Sequence, residues 1–196
     1  MRVLAVYIGR AQMRQDPGQN HLTAMARNAV EGPVAVGRLG LAGDEQADLS
    51  VHGGVSQAVY AYPSEHLPFW QTVRAQAGVA AWGEAIAPGL LGENLLLEGL
   101  RETELWIGDR LWIGRGDGTA PGCVLAVSEP RMPCNKFNAA MGFVHAAKLM
   151  QQSGFSGAYL AVISPGQVQA GDAITLHPGP REVNLRDLFK ARARRD

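Results

Sequence analysis

Gly108-Asp109-Arg110-Leu111-Trp112-Ile113 spells a turn followed at once by a strand. Glycine accepts the positive φ that a tight turn needs, and an aspartate carboxylate bonds nearby backbone amides. Leu111 and Ile113 then recur with the two-residue period of a strand that buries one face. Gly171-Asp172 opens the same pattern with Ile174 and Leu176, and Gly43-Asp44 is a third turn of this kind.

Working outward, short strand-like runs appear at residues 3–8, 34–39, 58–62, 94–97, 110–113, 124–128, 159–163 and 173–176. Gly and Pro clusters separate them. The chain holds 24 glycines. So many short strands and turns predict a mainly β chain closed, or nearly closed, into a barrel, because closure removes exposed edges. Residues 115–122 read as a hairpin loop within it.

Helices are few. Leu67, Trp70, Val73 and Ala77 fall on one helical stripe after Ser64, with Pro68 near the first turn and Gly78 at the end. A second helix is predicted over 138–152, where Phe143, Ala146, Ala147 and Met150 share a face. Asn184 caps a short third one carrying Leu185, Leu188 and Phe189. Its last turns hold Lys190, Arg192, Arg194 and Arg195, cations suited to the negative end of a helix dipole.

At 196 residues the chain can bury a substantial core as one domain with a small appendage. Lys plus Arg number 18, and so do Asp plus Glu, so no long-range field draws the molecule to nucleic acid or to an anionic membrane. Arg10 ends the apolar start before a signal peptide or membrane span can form, which predicts a cytoplasmic protein. Two cysteines are too few for an iron-sulfur cluster, and the glycine-rich phosphate loops of nucleotide enzymes are absent.

Cys134, in Pro130-Arg131-Met132-Pro133-Cys134-Asn135-Lys136, is the sharpest chemical feature. Arg131 and Lys136 favour the thiolate, the form that ligates soft metals or attacks sulfur, and two prolines stiffen its approach. Cys123 opens Cys123-Val124-Leu125-Ala126-Val127, where the period of two sets it with Leu125 and Val127 in the core.

Two further clusters are weaker signals. In residues 43–54, Asp44 and His52 lie eight positions apart, about 26 Å if extended, so they share a ligand only if the loop folds back. The Gly53 and Gly54 amides could cradle phosphate, but a turn with a hydrogen-bonded histidine accounts for the segment equally well. Gly92-Glu93-Asn94-Leu95 places Glu93 and Asn94 ahead of an apolar strand, where they could orient a heterocycle at a barrel mouth or simply form a turn. Ser64-Glu65-His66 reads as a helix start.

These runs, with Ala58-Val59-Tyr60 and Ile107-Gly108-Asp109-Arg110 between them, resemble in order and spacing the MOSC domain (molybdenum cofactor sulfurase C-terminal), in its short bacterial stand-alone form. The resemblance implies a single MOSC-type β-barrel over 1–180, with a short basic C-terminal helix or tail over 181–196. It implies the molybdenum cofactor (molybdopterin) as ligand, with Cys134 as the molybdenum-binding thiolate. By motif position, Arg131 and Asn94 would hold the pterin and its phosphate, and Asp44, His52, Gly53, Gly54, Glu93 and Lys136 would complete the site.

Relatives with demonstrated activity reduce N-hydroxylated bases, which implies an oxidoreductase served by an external reductase or ferredoxin-type electron donor. The family was also proposed to carry sulfur as a persulfide, which would make a cysteine desulfurase, a pyridoxal-phosphate enzyme, the partner. A third reading is a binding module that senses the cofactor without turnover. Oligomeric state, a homodimer included, is open. The chain departs from the family at Gln57 and Ala161, positions where relatives often carry cations.

Overall fold

The computed structural model describes residues 1–16, 19–25, 27–47, 53–114 and 122–194, with side chains 14–21 left aside. Its strands are β1 (Arg2–Ile8), β2 (Gln12–Asp16), β3 (Gln19–Thr23), β4 (Asn28–Ala29), β5 (Val34–Gly37), β6 (Gly40–Leu41) and β7 (Val59–Pro63). The second half adds β8 (Leu95–Glu98), β9 (Arg110–Gly114), β10 (Cys123–Pro130), β11 (Ala158–Ser164), β12 (Gly166–Val168) and β13 (Ala173–His177). Four helices complete it: α1 (Leu67–Gln76), α2 (Asn135–Met141), α3 (Ala146–Ser153) and α4 (Leu185–Ala193).

Seven strands close a barrel in the order β13-β9-β10-β11-β7-β8-β1, and Arg2 pairs with Ala173 to join the ends. Neighbours run antiparallel except β7 and β8, whose pairing is parallel from Ala61↔Leu95 to Pro63↔Leu97. A parallel pair cannot be joined by a tight turn, so a crossover is obligatory, and this one carries α1. Register shifts in β1–β8 and β10–β11 supply the local bends that closure needs. The eight runs read from the sequence all fall on strands, and the loop read over 115–122 joins the paired ends of β9 and β10, although residues 115–121 lie outside the described part.

Alternation along each strand builds two cores. Val59, Ala61, Leu95, Leu97, Leu111, Ile113, Leu125, Val127 and Leu160 point inward and fill the barrel. Tyr60 and Tyr62, one residue out of phase on β7, join Trp70, Phe137, Met141, Met150 and Phe189 in a second core beneath the helices. Cys123 is a barrel residue as predicted, and burial pushes its thiol up to about 12.

The Gly-Asp turns behave as chemistry requires. Gly43, Gly108 and Gly171 take φ of 85°, 89° and 91°. Asp109 accepts the Trp106 amide at 3.1 Å and Asp172 accepts the Gln169 amide at 2.9 Å, each three residues back. Asp44 instead reaches across the fold to the Gly9 amide at 2.8 Å.

The helix predicted over 138–152 is corrected to two. Gly142 adopts φ 83° and ends α2, and α3 restarts at Ala146. Asn138 bridges the break, its Oδ1 accepting the Ala147 amide at 2.7 Å. The ribbon β2–β3 and the strands β4, β6 and β12, which pair with β1 and β5, were not anticipated, because these two- to five-residue strands carry little apolar alternation. Asn184 caps α4 as expected, accepting the Arg186 amide at 3.0 Å. Among the described residues no helix is long and apolar enough to cross a membrane.

Gly157 shows how tightly β7 and β11 approach. It has φ 67°, and a Cβ there would lie 2.6 Å from the Ala61 carbonyl oxygen and under 3 Å from the Tyr60 and Tyr62 rings, at 2.8 and 2.9 Å. Left-handed strain and overpacking together are expected to cost Gly157→Ala about 3 kcal/mol. Calorimetry should read a melting temperature lower by roughly 6–12 °C. Melting within about 2 °C of the parent would mean that this contact yields.

Candidate functional site

A cleft of about 750 Å³, including solvent at its mouth, opens on the outer side of the wall formed by β7 and β11. The barrel interior is filled by aliphatic side chains, so the cleft lies against the outside of the wall and not in a barrel mouth. Period two explains this: Val59, Ala61 and Leu160 face in, which turns Tyr60 and Tyr159 out into the cleft.

Cys134 and Arg131 meet here. Pro130 ends β10, the intervening loop lines the cleft, and Cys134 is the N-cap of α2, its carbonyl accepting the Phe137 amide at 2.9 Å. Cys134 is partly exposed. Arg131 is buried, with its guanidinium 4.8 Å from the Phe137 ring centroid and 5.2 Å from that of Tyr60. Burial opposes its charge, yet Tyr60, Tyr159 and the Cys134 sulfur hold it charged, above the usual range. Among the described residues no carboxylate pairs with it, and its remaining contact is Met150 Sδ at 3.8 Å.

Arg27, which sequence reading missed, forms the opposite wall. Its Nε and NH2 donate to the two Asp44 oxygens, each at 2.9 Å, and NH1 donates to the Gly92 carbonyl. Asp44 lines the cleft as predicted, but the Gly9 amide and Arg27 engage its oxygens, so it works as a staple between segments. Nothing near residue 27 in sequence signals this, because its partners stand 17 and 65 residues away.

Asn94 also lines the cleft, with its side chain turned largely to the backbone. Its Oδ1 accepts the Tyr60 amide at 3.0 Å, and Nδ2 donates to Tyr7 O at 3.3 Å, which ties β7 and β1 where β8 begins. Gly53 lines the cleft as well; its amide donates to Gln57 Oε1 at 2.9 Å, and that of Gly54 to Gln46 Oε1 at 2.8 Å. Gln57 is held in turn by Glu129, which pairs with Arg192 of α4 at 2.8 Å. Lys136 reaches the cleft and donates to Leu22 O at 3.0 Å. His52 lies outside the described residues, and no group of three metal-ligating His, Cys, Asp or Glu side chains is found among them.

Ser64-Glu65-His66 is the short turn leading into α1 that the sequence suggested, and His66 is buried there against Glu102 at 2.7 Å, stacked on Phe155. It does not reach the cleft.

Glu93 sits between two cleft residues without lining the cleft itself. Its Oε1 accepts the Gly89 amide at 3.1 Å, and Oε2 is buried without a hydrogen-bond partner. Burial pushes its carboxyl up from 4.5 to about 7. The neutral form therefore stabilises the fold below about pH 4.5, and that contribution is lost as pH rises through about 7. Glu93→Gln keeps an acceptor for Gly89, so it should melt like the parent at low pH and above it at high pH. Calorimetry at about pH 4.5 and pH 8 checks this, and equal melting at both would remove the burial cost from the account.

The chain is 32% identical over 182 residues to the protein YiiM of Escherichia coli (strain K12), covering 93% of this chain and 75% of that one. It is 30% identical over 174 residues to a protein of Gibberella moniliformis called a reductase, covering 87% of this chain but only 29% of that relative. The crystal structure of YiiM from Geobacillus stearothermophilus superposes with a TM-score of 0.75, covering 99% of this chain and 84% of that one at 24% identity, which speaks to fold alone. With the MOSC domain model matched over residues 48–175, a span running from the glycine pair through Cys134 to β13, the chain belongs to the MOSC domain family.

Proposed function

We propose that the cleft binds the molybdenum cofactor and reduces N-hydroxylated compounds, with Cys134 as the protein's ligand to the metal. The observation that carries this reading is the buried Arg131 guanidinium beside the Cys134 sulfur, without a carboxylate partner among the described residues. A buried cation is stable only when an anion or strong dipoles compensate it, and a ligand bearing phosphate does so. The donor set fits such a group. A metal that arrives already ligated by its organic carrier needs one protein thiolate, and a cluster of protein ligands is dispensable.

The cofactor, when bound, supplies a centre that exchanges two electrons and an oxygen atom with substrate. Arg131 and Lys136 would hold its phosphate, the latter by giving up the Leu22 carbonyl. The Gly53 and Gly54 amides would join them once Gln57 and Gln46 turn away. Tyr60 and Tyr159 offer flat apolar surface to a pterin, and the second N–H of Asn94 offers a donor. Asp44, fully engaged with Arg27, would keep the opposite wall in place rather than touch the ligand. The name of the fungal relative supports a redox role, and an external reductase would bring the electrons.

Protein made in a molybdate-replete host should carry close to one molybdenum per chain by elemental analysis. Cys134→Ala should lose it with an unchanged melting temperature. A metal-free parent with a cyanolysable sulfur on Cys134 would sink the redox reading and favour the sulfur carrier. Arg131→Met should weaken cofactor retention by roughly 10- to 100-fold, since a charge-assisted hydrogen bond contributes about 1.5–3 kcal/mol. Equilibrium dialysis reads that loss.

A further inference from the structure

We propose that the face where α1, α2 and α3 meet, centred on Trp82, docks an acidic electron-donor protein. The inference rests on the redox reading of the cleft and says where its electrons enter.

Three segments build this face. Arg74, in the last turn of α1, donates from Nε to Met141 O at 3.3 Å, so α1 ends against the end of α2. Val79 follows and packs on Gly142, where a Cβ would stand 3.5 Å from that of the valine. Trp82 occupies the next turn, which the Glu84 amide closes by donating to Ala81 O at 3.1 Å, and α3 opens two residues after Val144. Trp82 is 72% exposed and Val144 75%. An indole held in water at the tip of a pinned turn adds nothing to either core, and an aromatic ring of this kind is the usual anchor at the centre of a protein interface.

Charge identifies the partner. The whole chain carries 18 basic and 18 acidic residues, yet residues 66–83 and 130–171, which contain all three helices, include no Asp or Glu. Arg74 and Lys148 therefore stand at this face without carboxylates from those segments. Lys148 is exposed in the first turn of α3, where the helix dipole disfavours a cation and the two positive fields add. Glu84 is drawn back into its own turn, Oε2 accepting the Ala81 amide at 2.9 Å. An apolar centre with so few cations at its rim suits an acidic protein, whereas a phosphate backbone calls for a denser cluster of Lys and Arg.

The face also has a direct line to the cleft. Cys134 caps the start of α2 and Gly142 its end, about 12 Å apart at 1.5 Å per residue. Phe137 and Met141, fully buried, pack the inner side of that helix. Two docked electron donors would each lose one electron per turnover. The balance is R–NHOH plus two electrons and two protons giving R–NH2 plus water, with the N–O bond breaking so that its pair stays on oxygen and solvent at the open cleft supplying both protons.

An acidic plant-type ferredoxin, titrated into the full chain by calorimetry, is the probe. Trp82→Ser should weaken its binding by at least about tenfold, as loss of an anchoring aromatic does. Lys148→Glu should weaken it about tenfold at about 10 mM ionic strength and under about threefold at about 150 mM, where charges are screened beyond roughly 8 Å. Arg110→Glu makes the same charge change on exposed β9, across the barrel from β7, and should leave binding within about twofold. In molybdenum-loaded protein, Trp82→Ser and Lys148→Glu should raise KM for reduced ferredoxin about tenfold and leave turnover with reduced methyl viologen within about twofold. Equal losses with both reductants, binding indifferent to both substitutions, or an equal effect of Arg110→Glu would overturn the proposal. So would a parent that sediments as a dimer and is made monomeric by Trp82→Ser, since a second copy would then hold the face. A parent that takes up no molybdenum fails the redox reading itself, whereas an active parent whose KM for ferredoxin is unmoved in both variants fails the docking face alone.

Discussion

A guanidinium buried between two aromatic rings governs the cleft. Arg131 has no carboxylate beside it among the described residues, and its surroundings are Phe137, Tyr60, Tyr159, Met150 and a thiol. Aromatic faces and hydroxyl oxygens soften the cost of burying that charge without neutralising it. The local potential therefore stays positive at the cleft beside Cys134. The whole chain has no net charge to do this at a distance, so recognition must come from groups fixed at the cleft.

Fixing them is the task of the wall behind. Tyr60 belongs to β7, between Val59 and Ala61, which are locked inside the barrel. One residue of slip would turn the tyrosine into the barrel core and leave Arg131 without its ring. Asn94 and the Glu102 contact to Gly157 pin this stretch further, binding the Tyr60 amide at 3.0 Å and the Gly157 amide at 2.7 Å. On the far side, Arg27 and Asp44 staple the Gly9, Gly92 and residue-27 segments into a second rigid face. Two walls held by buried polar bonds, with the Cys134 loop between them, form a preorganised pocket.

Of the two departures read from the sequence, Gln57 has a structural role. The Gln57 amide bridges Glu129 and the Gly53 N–H. A neutral acceptor thus occupies the Gly53 amide. Through Glu129 and Arg192 the same chain of bonds ties α4 to the cleft, so the C-terminal helix is part of its support.

The sequence by itself determined the barrel strands, because Leu111, Ile113, Ile174 and Leu176 alternate after Gly-Asp turns and a period of two has one buried face. It also separated Cys123 from Cys134, since one sits in an apolar alternation and the other among prolines and cations. It overran the break at Gly142, where a backbone angle outweighed a helical stripe. Only the tertiary structure decided that the cleft lies outside the wall, that Arg27 pairs with Asp44, and that Asn94 and the glycine amides are engaged by neighbours. Arg27 meets Asp44 and Gly92 across 17 and 65 residues and Asn94 meets Tyr60 across 34, while the Gly53 and Gly54 amides meet Gln57 and Gln46 only four and eight residues away, in a loop without periodicity. Local periodicity records which face of a strand is apolar; which distant group meets the other face is set by how the closed sheet brings the segments together.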